Sequence, residues 1–315
     1  MPTKEEPTNG IFEQLAEQAT PFLYPCAVEF NLIVAGFLYI IWRSVGKSHQ
    51  HGTAQNEDHA HHTRAGVFER IDCSNSTIGF LLGIVILIYG VAAIVFFMAY
   101  DEDKTLDYKM RHFALLFYQT MHVVTSALMC VALGAMFLFL RRLDFDRQKD
   151  IALDRTLLIV SLTGLFALAI FNAISAVAFD TDASPSKKLF EDEDEGTDIA
   201  PFHLTFTIAV FQILEAMMQT ACILDGLRRR PGPKRVSNTV KQGRQFITFL
   251  LVCNVSLWIL STFEVKCPQT SPVSLLLYHG LGWCIISHIS MPMVIFFRFH
   301  SAACMFEIWK EAFTD

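Results

Sequence analysis

Gln212, Glu215 and Gln219 recur at i, i+3 and i+7 within an otherwise apolar run, which puts all three on one face of a helix. Glutamine amides can donate and accept along a file of water, and a carboxylate can bind a proton. Hydrogen-bond and proton relay is therefore the chemistry this face offers. The same stripe could instead bond one helix to its neighbour. Tyr118, His122 and Thr125 share a face in the same way, His122 being a candidate proton relay. Tyr278, Leu281, Ile285 and His288 form another row, which aims Tyr278 and His288 inward together ahead of a kink expected at Pro292. Glu29 sits about two turns into a further apolar run, either as a proton acceptor or as one member of a helix-helix pair. Asn172 and Asn254 are isolated polar insertions, each alone suited to interhelical hydrogen bonding. Arg298 and His300 close the last apolar run, where a cation is favoured by the helix dipole and serves as an interfacial anchor.

The elements that must position these residues are set by composition. Hydrophobic residues make up 52% of the 315, with 28 phenylalanines and a mean hydropathy of +0.37, more apolar than a soluble domain requires. Charges cluster in short blocks between long apolar runs rather than alternating along amphipathic faces. A bilayer core takes about 20 helical residues to cross, and helix is required because lipid offers no partner for a free backbone amide. Seven runs qualify: Phe22 to Ile41, Ile78 to Tyr100, Phe113 to Leu140, Leu157 to Phe179, Phe202 to Leu224, Phe246 to Thr262 and Val273 to Phe297. The expected fold is an all-α polytopic transmembrane bundle. Residues 1–20 form a polar tail, 21–46 a first transmembrane helix, 47–76 a His-rich loop and 77–311 a six-helix unit.

Lys and Arg concentrate in alternate loops: Arg141, Arg142 and Arg147 in one, Arg228, Arg229 and Arg230 in another, with Lys47, Arg64 and Arg70 before them. The loops between hold fewer, Lys104, Lys187 and Lys266 among them. The positive-inside rule then places the C-terminus in the cytoplasm and the N-terminal tail outside. That tail lacks the basic start and small-residue cleavage site of a signal peptide, an arrangement that hints at helices upstream.

Other signals are weaker. His49, His51, His59, His61 and His62 fall in one loop, too loosely spaced to fix a ligand geometry. The acidic block Glu191 to Glu195 hydrates its loop or raises local cation concentration. Cys130, Cys222, Cys253 and Cys284 lie inside apolar runs as small hydrophobes, not a disulfide framework. No nucleophile-and-base or His-Glu-x-x-His spacing points to an enzyme. No metal, other cofactor or nucleic-acid partner is expected.

The strings Leu23-Tyr24-Pro25 through Glu29 to Trp42, Gln212 with Gln219-Thr220, Phe249-Leu250-Leu251 with Asn254 and Leu257-Trp258-Ile259, and Trp283 with Pro292 through Phe296-Phe297-Arg298-Phe299-His300-Ser301 resemble successive signatures of the otopetrin family. The resemblance runs from about Pro21 to the C-terminus. It implies a proton-selective channel of two similar six-helix halves, working as a dimer in a membrane, most simply the plasma membrane. In that template this chain resembles the sixth helix plus the C-terminal half. The family associates a Gln-Asn-Tyr constellation with a permeation path, and the matching positions here are Gln219, Asn254 and Tyr278. Glu29 matches the acidic residue of the sixth helix.

The reading that follows is a proton path past Gln219, Asn254 and Tyr278, helped by Glu215 and His288. The partners are protons, membrane lipid, and a second copy or an N-terminal otopetrin half. Two alternatives stand beside it. One is a non-conducting subunit that modulates a full-length channel; the other, more remote, is a heptahelical receptor, which lacks support because Asp-Arg-Tyr and Asn-Pro-x-x-Tyr are missing.

Overall fold

The computed structural model describes residues 76–101, 108–180, 200–230, 243–265 and 270–311, together with six scattered helical positions between 27 and 38. The expected tail over 1–20, the first span over 21–46 with Glu29, and the His-rich loop ahead of residue 76 otherwise lie outside the described residues.

Six helices account for nearly everything described. They are α1 (Thr77–Asp101), α2 (Tyr108–Leu140), α3 (Ala152–Asp180), α4 (Ala200–Gly226), α5 (Gly243–Glu264) and α6 (Pro272–Glu311). Each is long and apolar enough to cross a bilayer, and each overlaps a span expected from hydropathy. The protein is thus an all-α, multi-pass membrane bundle. Exposed Ile78, Leu81, Leu82, Val85 and Ile88 on α1, and Leu281, Ile285 and Ile289 on α6, present the outward apolar surface that lipid requires.

Neighbour contacts close the six helices into a ring in the order α1, α2, α4, α3, α6, α5, with additional contacts of α2 with α5 and of α4 with α6 across the middle. Close approach is made possible by small residues, the usual device where lipid removes any hydrophobic drive between helices. Gly79 and Gly83 of α1 show it best: a β-carbon at Gly79 would collide with the backbone carbonyl of Gln245, and one at Gly83 would press on Val252, both on α5.

The described basic segments after α2 and after α4 meet at one end. The α2–α3 connection carries β1 (Asp144–Phe145) and the residues after α4 carry β2 (Arg229–Arg230), and the two strands pair antiparallel with Asp144 opposite Arg230. Arg229 donates to the Leu143 carbonyl at 2.9 Å and pairs with Asp225, while Arg230 pairs with Asp146. From the same connection Lys149 reaches the end of α6, donating at 2.7 Å to each of Glu307 and Glu311. Burial works against the Lys149 ammonium, but the bonds and charges of those two carboxylates outweigh it and hold the lysine above its ordinary range. Lys149 therefore stays charged at neutral pH.

Helix α6 runs for 40 residues, about 60 Å at 1.5 Å per residue, twice a bilayer core. Pro272 opens it, where a missing N–H costs nothing. The interruption inside it falls at His279 (φ 56°, ψ 165°), whereas Pro292, where a kink was expected, keeps helical backbone. The left-handed His279 resets the angular phase of the helix. The break separates Tyr278 from the rest of the expected inward row, which itself turns outward: Leu281 is 78% exposed, Ile285 and His288 are exposed, and Trp283, Ser290 and Met291 take the inner face.

Replacing Gly79 with Leu should force α1 off α5. A fall in the detergent-solubilised melting temperature of several degrees is expected for Gly79→Leu, whereas the same change at Gly134, which faces open space, should leave it unchanged.

Candidate functional site

The polar face of α4 is the spine of the site. Glu215 and Gln219 are completely buried, one turn apart. Glu215 meets Arg298 of α6, whose Nη1 donates to both carboxylate oxygens, at 2.9 Å to Oε1 and 2.7 Å to Oε2. Arg298 is 2% exposed. The expectation of an interfacial anchor is thereby corrected: α6 continues well past this residue, so Arg298 lies inside the bundle and not at a helix end.

One turn nearer the basic end, Gln219 Nε2 donates to Asn254 Oδ1 at 2.9 Å while Asn254 Nδ2 donates back to Gln219 Oε1 at 3.0 Å. Asn254 Nδ2 also donates to the Leu250 carbonyl and approaches the Met305 sulfur. Two of the three residues expected to form a constellation therefore touch. Tyr278 does not join them. Met305 beside Asn254 lies 27 residues further along α6 by number, about 40 Å of helix. Tyr278 instead donates to the Phe171 carbonyl at 3.0 Å and stacks on Trp283 at the opposite end of the bundle. Nearby, Ser274 Oγ donates to Asn172 Oδ1 at 2.6 Å and shares a 2.8 Å bond with Ser175, so Asn172 ties α3 to α6 as expected of interhelical glue.

Gln212, two turns outward from Gln219, lines a cavity on the side away from the basic loops. This vestibule is a small cleft, open on one side, and its polar wall includes Tyr118, Gln119, His122, Asn172, Thr205 and Glu264. Tyr118 Oη donates to Glu264 Oε1 at 3.0 Å. His122 Nε2 lies 3.0 Å from the same oxygen, without the alignment of a hydrogen bond, and His122 Nδ1 is buried with no protein partner. A histidine and a carboxylate on one oxygen, beside a hydrogen-bonding phenol, form a group that can take up and release a proton.

The sequence reading did not single out Glu264, Gln119 or Thr205. Glu264 ends its apolar run and reads as a loop charge; only the packing of α2 against α5 brings it to His122. The remaining candidates separate. His288 faces outward and its Nδ1 contacts the Cys284 carbonyl of its own helix at 2.8 Å. His300 lies at the basic end with its Nε2 3.6 Å from Asp154 Oδ1, and Glu29 is outside the described residues.

A ring of helices long and apolar enough to cross a membrane, closed around buried polar pairs, defines a multi-pass membrane protein. This chain belongs to the otopetrin family, whose profile matches residues 4–299. It is 31% identical over 311 residues to the proton channel OtopLc of Drosophila melanogaster, covering 96% of this chain and 18% of that protein. Human proton channel OTOP2 is 22% identical over 94% of this chain and 58% of its own length, and OTOP1 of Danio rerio 22% over 92% and 56%. The chain thus spans less than a fifth of the first relative and little more than half of the others.

Enclosed charges make the Glu215–Arg298 pair intolerant of single changes. Glu215→Gln should destabilise the bundle by about 3–5 kcal/mol, because a guanidinium is left unpaired, while Glu215→Leu with Arg298→Met should recover much of the loss. Thermal melts of the purified proteins decide; an unshifted Glu215→Gln melt would remove the pair from any structural role.

Proposed function

We propose that this chain forms one proton-conducting pathway of an otopetrin channel, carrying H⁺ across a membrane from the vestibule end toward the basic end. The observation that carries this reading is the single face of α4: Gln212 in the vestibule, then Glu215, then Gln219 in the buried pair with Asn254. Neighbouring groups along it are one helical turn apart, a spacing that one intervening water or a side-chain rotation can bridge.

In this reading the Tyr118–Glu264–His122 group collects the proton, His122 and Glu264 being the titratable members. Gln212 passes it inward by accepting on its carbonyl and donating from its amide. Arg298, bonded to both oxygens of Glu215, electrostatically discourages other cations, much as a fixed arginine does in a water-selective pore. The Gln219–Asn254 pair is the narrowest point. Its reciprocal bonds must open and re-form, which a proton hopping between hydrogen-bonding groups can exploit and a hydrated metal cation cannot. The names of the relatives, proton channels throughout, support the same class of substrate. The plasma membrane, a second copy of the chain, and an N-terminal otopetrin half as partner all belong to this proposal.

A second reading draws on a specific feature. Both buried pairs satisfy each other's hydrogen bonds, which suits a dry structural half that supports or modulates conduction elsewhere. Whole-cell recording during extracellular acidification separates the two. Gln219→Leu with Asn254→Leu replaces the pair by apolar side chains of similar size, so no buried amide is orphaned. Acid-evoked current should fall by about tenfold or more, the equivalent of about 1.4 kcal/mol on the conduction barrier, at unchanged surface expression. Undiminished current would exclude the Gln219–Asn254 route, and current that appears only on co-expression with an upstream half and survives the double substitution would establish the modulatory reading.

A further inference from the structure

At the basic end, away from the α4 face, three side chains with metal-binding donors converge. Asp154 stands in the first turn of α3, and His300 and Cys304 are one turn apart on α6. Their donor atoms, one carboxylate oxygen, one imidazole nitrogen and the thiol sulfur, all lie within 4.8 Å of one another. His300 Nε2 is 3.6 Å from Asp154 Oδ1, and Cys304 Sγ is 3.7 Å from His300 Nε2.

Those separations are the edges of a tetrahedron. Zinc bonds of about 2.3 Å to sulfur and 2.0–2.1 Å to nitrogen or oxygen place S and N about 3.6 Å apart and N and O about 3.4 Å apart. Both observed edges are within about 0.2 Å of these values, and closing the third requires a shift of about an ångström at most. Donor chemistry points the same way, since thiolate, imidazole and carboxylate together suit a borderline-soft divalent ion and leave one position open.

The surroundings favour a cation. Phe296 stacks on the His300 ring at 5.4 Å and 11°, fixing its plane. Glu307 lies close enough to act electrostatically on Asp154, His300 and Cys304. Lys149, which acts on the cluster, is already paired with Glu307 and Glu311. With His300 neutral, the local balance is negative. Asp154 is only partly buried, so the site is reachable from the basic face.

We propose that Asp154, His300 and Cys304 form a binding site for a thiophilic divalent cation such as Zn²⁺, with water in the fourth position. Binding displaces the Cys304 thiol proton to solvent and joins α3 to α6. The site is independent of proton conduction, and its test does not depend on current.

The experiment is Co²⁺ titration of the purified full chain in detergent, followed by displacement with Zn²⁺. Wild-type protein should show visible bands of tetrahedral cobalt and a near-ultraviolet thiolate-to-cobalt charge-transfer band, both abolished by Zn²⁺. Cys304→Ser should remove the charge-transfer band, and Asp154→Asn should weaken Zn²⁺ binding by about 10-fold or more. Melting temperatures in EDTA show that each variant is folded. Cys284, whose sulfur lies 3.4 Å from His288 Nδ1, is the control, and Cys284→Ser should leave the spectrum unchanged. Absence of the charge-transfer band in wild type, its survival in folded Cys304→Ser, or its loss only in Cys284→Ser would each overturn the proposal.

Discussion

A fully enclosed carboxylate and guanidinium dominate the architecture. Separating Glu215 from Arg298 would leave either charge in a medium that cannot solvate it, so α4 and α6 are held in one relative register by a cost far larger than any single apolar contact provides. Everything one turn further along inherits that register. Gln219 follows Glu215, Met305 follows Arg298 by two turns, and Asn254 of α5 finds its place between them. Three helices are thereby fixed by four polar side chains. Interhelical hydrogen bonds in membranes average only about 0.6 kcal/mol, so the amide pair specifies position more than it adds strength.

The polar interior is divided unequally. Toward the vestibule, hydrogen-bonding groups exceed their protein partners: His122 Nδ1 and Gln119 Oε1 are buried with nothing opposite them. Deeper in, the two pairs are closed on each other, while the neighbouring hydroxyls of Thr220, Ser256 and Ser301 are also buried without a protein partner.

Helix positions were legible because hydropathy is a one-dimensional signal and lipid enforces it; the six described spans fall where the apolar runs lie. The Gln212, Glu215 and Gln219 face was legible for a similar reason, since a periodicity of 3.6 within one uninterrupted helix needs no tertiary information. Failures came where that condition lapsed. Tyr278 and His288 were read as one row across His279, whose backbone is left-handed, and nothing in a histidine announces that conformation. Arg298 was read as a boundary because its charge ends an apolar run, yet α6 continues to Glu311. Glu264 and Asp154 gain their partners only through packing between helices distant in sequence. The Gln219–Asn254 contact followed from the family resemblance; the third member of that set did not, as a helix rises too far between Tyr278 and Met305 for one residue to serve both ends.

The bundle is fastened differently at its two poles. A two-stranded ribbon, an arginine bound to a main-chain oxygen and a lysine gripped by two acids lash together the ends of α2, α3, α4 and α6 at the basic pole. The far pole instead carries a backbone irregularity in α6 and an open polar cleft. Mechanically this is a tripod bolted at one foot: a small rotation about the fastened end becomes a larger displacement at the free one, so the cleft is where any twist of the assembly has the greatest leverage.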